Sequence, residues 1–193
     1  MTVLDNSVAH REVLMVLPRR VIQKEAPLAK GYRLRKYDDD LYASWIHLMD
    51  VTGLASEKEA GHILDAMLAD RERFVENFLF VVDEKGNLAA SAGLWPGHAF
   101  KDRLRLHWVA TDPGHQHKGL SRAIITRLAM KYDQMPSRYP LYLSTQSGSW
   151  AAIMLYSRLG FTPYLGEYED HTEAQSVEDW EFVTEILKSK AKN

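Results

Sequence analysis

The chain of 193 residues contains no cysteine at all. A disulfide framework, a cysteine nucleophile and a thiolate zinc site are therefore excluded. It also lacks an excess of charge: 24 Lys and Arg stand against 26 Asp and Glu, a formal net charge of -2. No basic field or basic stripe draws it to nucleic acid or to an anionic membrane surface. No apolar run approaches the ~20 residues of a membrane span. The first thirty residues show no signal-peptide pattern, because the apolar run Val13 to Leu17 is short and follows charged Arg11 and Glu12. The expected location is cytoplasmic. Internal repeats and low-complexity segments are missing too. What remains is an ordinary hydrophobic fraction of 46% in a chain long enough to bury a core without staples.

Residues 1–30 are expected to form an N-terminal extension, with a short extra strand at Val13 to Leu17 and a linker after Pro18. Residues 31–193 are expected to form one domain. Tyr32 to Tyr37 alternates as a strand does. Asp38, Asp39 and Asp40 offer helix caps, and Leu41, Trp45, Leu48 and Met49 follow at helical spacing. Ser56 to Glu59 reads as a capping box for a second helix. Phe78 to Val82 and Leu88 to Trp95 predict a hairpin around Gly86. Arg103 to Ala110 predicts a third strand, with Leu104, Leu106 and Trp108 on one face and Arg105, His107 and Val109 on the other. A helix follows from Leu120, a strand at Leu141 to Thr145, and a helix capped by Ser149 and stopped by Gly160. Another strand is expected near Phe161 to Leu165, and a final one at Trp180 to Leu187. The pattern is α/β: a mixed sheet with helices on its faces.

The chemistry concentrates after the third hairpin strand, in His115-Gln116-His117-Lys118-Gly119-Leu120-Ser121. A helix start carries unpaired N–H groups and partial positive charge. A loop that turns its own N–H groups inward adds an anion nest. Gly119 permits close approach to the backbone, and Lys118 adds positive potential. These features suit a phosphate or pyrophosphate; a solvated polar loop at a helix start is the plain alternative.

Gln116-His117-Lys118-Gly119-Leu120-Ser121 resembles the pyrophosphate loop Gln/Arg-x-x-Gly-x-Gly/Ala of the GNAT acyltransferase superfamily. Ala152 to Phe161 resembles that family's second motif, Ala-x-x-Leu-Tyr-x-x-x-Gly-Phe. The interval fits one helix and one strand. The sequence departs from the pattern at His117 and Ser121, and at Ser149, where many members have Asn. The resemblance implies the GNAT fold, a mixed and mostly antiparallel sheet with acetyl-CoA in the splay between two parallel strands. It implies N-acetyl transfer by direct attack of an amine. Backbone N–H groups of Trp108, Val109 and Ala110 would serve the developing oxyanion. Ser149 would lie near the pantetheine.

Tyr156, at the motif's tyrosine, is the implied acid; packing in the core is its other reading. His107 is the candidate base, near where members often carry Glu, and imidazole titrates near neutral pH. A half-buried strand histidine is the rival. A non-catalytic acyl-CoA sensor is the alternative function. The acceptor would be a small-molecule or peptide amine, and the resemblance leaves a homodimer open.

His115 and His117, with His98 and His107, invite a metal reading, but no metal site is expected from residues inside a phosphate loop. Glu167, Glu169, Asp170, Glu173, Glu178 and Asp179 read as a solvated loop, or as a field that attracts a cationic amine. Trp45, Trp95 and Pro96 are candidates for an acceptor pocket, against the commoner fate of core packing.

Overall fold

The computed structural model describes residues 4–101 and 103–191. The first residues of the expected extension and the last two of the expected domain lie outside the described residues. The strands are β1 (Glu12–Leu17), β2 (Tyr32–Arg35), β3 (Phe78–Asp83), β4 (Leu88–Pro96), β5 (Leu104–Thr111), β6 (Leu141–Gln146) and β7 (Thr162–Pro163). The helices are α1 (Tyr42–Val51), α2 (Glu57–Leu68), α3 (Arg71–Asn77), α4 (Leu120–Gln134), α5 (Trp150–Arg158) and α6 (Glu173–Lys190). One sheet runs in the order β2-β3-β4-β5-β6-β1-β7. Every neighbouring pair is antiparallel except β5 and β6. No helix among the described residues is long and apolar enough to cross a membrane.

Local rules account for most elements. Asp38 caps the turn that enters α1, and Leu41, Trp45, Leu48 and Met49 are all buried. Ser56 and Glu59 form the reciprocal capping box that starts α2. Gly86, at φ 89°, closes the β3–β4 hairpin. Gly160, at φ 96°, ends α5, and Phe161 N donates to Tyr156 O at 3.0 Å, the long closing bond of such a C-cap. α3 was not foreseen; the side chain of Asp70 caps it by accepting from Arg73 N.

Two expectations are corrected. The segment Trp180 to Leu187 is not a strand but lies inside α6. Thr172 and Gln175 build a second capping box ahead of it, and Val177, Trp180, Val183 and Leu187 recur at helical spacing. Glu173, Glu178 and Asp179 consequently belong to a helix, not to a loop before a strand. The second correction concerns β5. Leu104 and Leu106 pack in the core cluster that holds Val109, while Trp108 packs with Trp45 and Ala110 on the opposite side. A bulge causes this. Ser91 pairs with Ala110 and Gly93 with His107, so Trp108 and Val109 together oppose Ala92. Side-chain parity flips at that point, and Trp108 takes φ 49°.

β1 sits well inside the sheet. It pairs with β6 from Glu12↔Gln146 to Leu17↔Leu141 and with β7 on its other edge. Val13, Leu14, Met15 and Leu17 are all buried, as a strand covered on both faces requires. Trp180 Nε1 donates to Leu14 O at 3.2 Å and ties α6 to this strand.

Candidate functional site

β5 and β6 run parallel but pair at a single register, Arg105↔Tyr142. Beyond it, toward their C-terminal ends, no further register joins them among the described residues. The gap is a cavity of 330 Å³ whose walls include Arg105, His107, Trp108, Ser144, Ser149 and Tyr156. His10, Glu12 and Leu54 also reach it. Sequence reasoning missed these three. β1 places Glu12 there by pairing with β6, and the Gln146 side chain holds His10 just ahead of the strand; no local pattern announces either partnership.

His107 is half-buried beside Trp108, with ring centroids 4.6 Å apart. Its Nε2 lies 3.2 Å from Arg105 Nη2. Burial, and then the Arg105 guanidinium, hold its imidazolium well below the ordinary 6.5. The ring is neutral around pH 7, and its Nε2 faces a donor, which assigns the N–H to Nδ1. Tyr156 is buried and lies on the helix face that meets the splay. Burial raises its phenol above 10.0, so it stays protonated.

The loop after β5 closes onto α4. Asp112 accepts from Gly114 N at 2.8 Å and fixes the exit turn. His117 and Gly119 both adopt left-handed backbone, φ 60° and 72°; His117 carries the strain that glycine would avoid. A Cβ built on Gly119 meets nothing within 4 Å, so the space before α4 is open. Ala123 N donates to Gly119 O, and the N–H groups of the preceding first turn of α4 have no partner within the helix. Lys118 Nζ donates to Tyr32 Oη at 2.7 Å, and Tyr32 Oη lies 2.8 Å from His115 Nδ1. β2 thus tethers the loop. Ser121, the departure from Gly or Ala, is buried with its Oγ 2.6 Å from Thr111 Oγ1. A second groove of 390 Å³ runs from this loop to Trp150, Met154 and Arg158 on α5.

The structure brings His107, Trp108, Val109, Ser149 and Tyr156 into the splay, and gathers His115, His117, Lys118, Gly119, Leu120 and Ser121 at the groove. Ala110 is buried on β5 next to the bulge, and Gln116 lies between the exit turn and His117. Ser149 stands at the N-cap of α5, but its side chain makes no capping bond. Trp45 is fully buried, and Trp95 packs against Phe74 and Phe78. Neither of them, nor exposed Pro96, lines the cavity. Glu169, at φ 47°, turns the chain between Tyr168 and His171.

A model of the acetyltransferase (GNAT) family matches residues 41–161. No curated protein matches the chain. Among solved structures, a GCN5-related N-acetyltransferase from Sphaerobacter thermophilus gives a TM-score of 0.59 at 14% identity, over 81% of this chain and 50% of that one. A tandem GNAT protein from the clavulanic acid biosynthesis pathway gives 0.58 at 12%, over 83% and 52%. An acetyltransferase of the GNAT family from Colwellia psychrerythraea gives 0.56 at 16%, over 82% and 55%. The chain spans about half the length of these structures. Likeness at such identities shows the fold.

Proposed function

This chain belongs to the acetyltransferase (GNAT) family, and on that premise we propose that it transfers the acetyl group of acetyl-CoA to a primary amine. The observation that carries the reading is the single-register pairing of β5 and β6, which opens a cavity on the strand that leads into the Gly119 loop. One strand thereby serves an anion site at its end and a reaction chamber at its middle.

The residues present fit the cosubstrate. The open space before Gly119 leaves the start of α4 free for a pyrophosphate, with Lys118 and His115 alongside. Gln116, His117, Leu120 and Ser121 complete that loop. Bound acetyl-CoA supplies an acetyl group activated as a thioester. The transfer forms one N–C bond and breaks one C–S bond; the amine loses a proton and the thiolate gains one. The bulge at Trp108 and Val109, ahead of Ala110, leaves ladder positions unpaired, which supports a backbone donor for the oxyanion there. Ser149 faces the same cavity and suits the pantetheine arm.

Tyr156 is the proposed acid: it stays protonated and lines the cavity. His107 is the proposed base. It is neutral and so able to accept a proton, but weakly basic, because Arg105 faces the nitrogen that would take it. Steady-state assay of CoA thiol release from acetyl-CoA with a panel of amines tests the reading; absence of release with every amine contradicts it.

A further inference from the structure

Resting on that reading, we infer that the acceptor carries a carboxylate next to its amine, as a free amino acid does, and that Arg105 binds it. Arg105 stands where β5 and β6 meet and forms part of the cavity wall. Its Nη1 donates to Ser144 Oγ at 2.7 Å and its Nη2 faces His107 at 3.2 Å. Its Nε is buried and has no hydrogen-bond partner among the described residues. A guanidinium has five N–H donors in a fixed fork, so only part of this one is engaged.

Among the described residues Arg105 belongs to no ion pair. Burial opposes its charge most strongly; the attractions that offset it come from Tyr142, then Glu12 and Glu169, and neither carboxylate forms an ion pair with it. A half-buried cation without an adjacent anion is unfavourable unless a ligand completes it. The cofactor's pyrophosphate is not that ligand. Six steps along the strand, shortened by the bulge, separate Arg105 from Thr111, at most roughly 20 Å at strand rise, and the phosphate loop lies beyond Thr111. The completing anion therefore comes from the acceptor. A planar carboxylate can accept from the remaining N–H groups of the two terminal nitrogens; Nε, itself buried, stays outside that contact.

The rest of the lining agrees. Among the described residues Glu12 is the one carboxylate in the cavity wall, set against one guanidinium and the imidazoles of His10 and His107. One positive and one negative group match a zwitterion better than a polyamine or a neutral amine. A carboxylate on Arg105 also brings the neighbouring amine next to His107.

The test measures CoA thiol release with free amino acids and with matched amines that lack the carboxylate, such as phenylalanine against phenethylamine and alanine against ethylamine. Dipeptides form a third arm. Calorimetric titration with acetyl-CoA accompanies it. Amino acids are expected to show kcat/KM about ten- to hundredfold above their matched amines, the worth of a charged hydrogen-bonded contact. Arg105→Gln should erase that preference through KM, while Arg105→Lys, which keeps the charge but not the fork, should retain part of it. The ratio between paired acceptors is not moved by a merely structural defect. Equal use of both acceptor types, a preference untouched by Arg105→Gln, or faster reaction of dipeptides overturns the inference and leaves acetyl transfer standing. Binding of acetyl-CoA without reaction of any amino acid overturns it too. Failure of the wild type to bind acetyl-CoA removes the underlying reading as well.

Discussion

Arg105 Nη2 lies 3.2 Å from His107 Nε2, so a fixed cation faces the nitrogen that would carry a catalytic proton. Burial and this cation together hold the imidazolium well below 6.5. The rate should therefore show no inflection from His107 near pH 6.5; its acid limb should lie lower. Removing the charge with Arg105→Gln should move that limb upward. A pH profile of kcat/KM for both proteins checks this, and coincident limbs would count against the pairing.

The same shift predicts a sign for stability. Below pH 6.5 the unfolded chain binds a proton at His107 that the folded chain refuses, down to the lower folded value. Stability thus falls as pH drops through that window. His107→Asn should flatten the decline. Thermal melts at pH 7.5 and 5.5 report it; an unchanged slope between wild type and variant contradicts the assignment.

Tyr156→Phe keeps the buried ring and removes only the hydroxyl. Loss of an acid should lower kcat about a hundredfold or more while acetyl-CoA affinity stays within a few-fold. A matching kinetic and calorimetric pair decides it. Unchanged kcat would return Tyr156 to a packing role.

Thr111 Oγ1 and Ser121 Oγ, 2.6 Å apart and buried, lock β5 to the start of α4. Thr111→Val leaves the serine hydroxyl unsatisfied, at a cost of about 1–3 kcal/mol. Adding Ser121→Ala should recover part of that loss, because no orphan group then remains. Additive losses in thermal or urea unfolding would show that the pair is uncoupled.

Much of this was legible in the chain because the signals are local. Ser56 and Glu59, Gly86, Gly160 and the Leu41–Met49 stripe each specify their element within a few residues. The Gln116–Ser121 and Ala152–Phe161 motifs located the loop and Tyr156 in the same way. Two misses were also local. Thr172 with Gln175 marked the start of α6, and Asp70 marked α3, yet the apolar density of Trp180–Leu187 suggested a strand. Other features were out of reach. The bulge that exchanges Trp108 and Val109 arises from register against β4, and periodicity alone assumes that register is unbroken. Glu12, His10 and Leu54 meet the cavity through contacts far apart in sequence. Arg105 looked like one charged residue on an alternating strand; its lack of an anion is visible only when its neighbours are placed.

The central claim is a pyrophosphate site at the Gly119 loop, and calorimetric titration with acetyl-CoA tests it most directly. Gly119→Glu is the comparison: the position has open space before it, so the change puts a carboxylate where the pyrophosphate is proposed to lie without striking the fold, though the left-handed backbone adds some strain. Circular dichroism and a thermal melt confirm that the variant is folded. The account predicts micromolar binding by the wild type and its loss in the folded variant. Absence of binding by the wild type, or equal binding by Gly119→Glu, would contradict it.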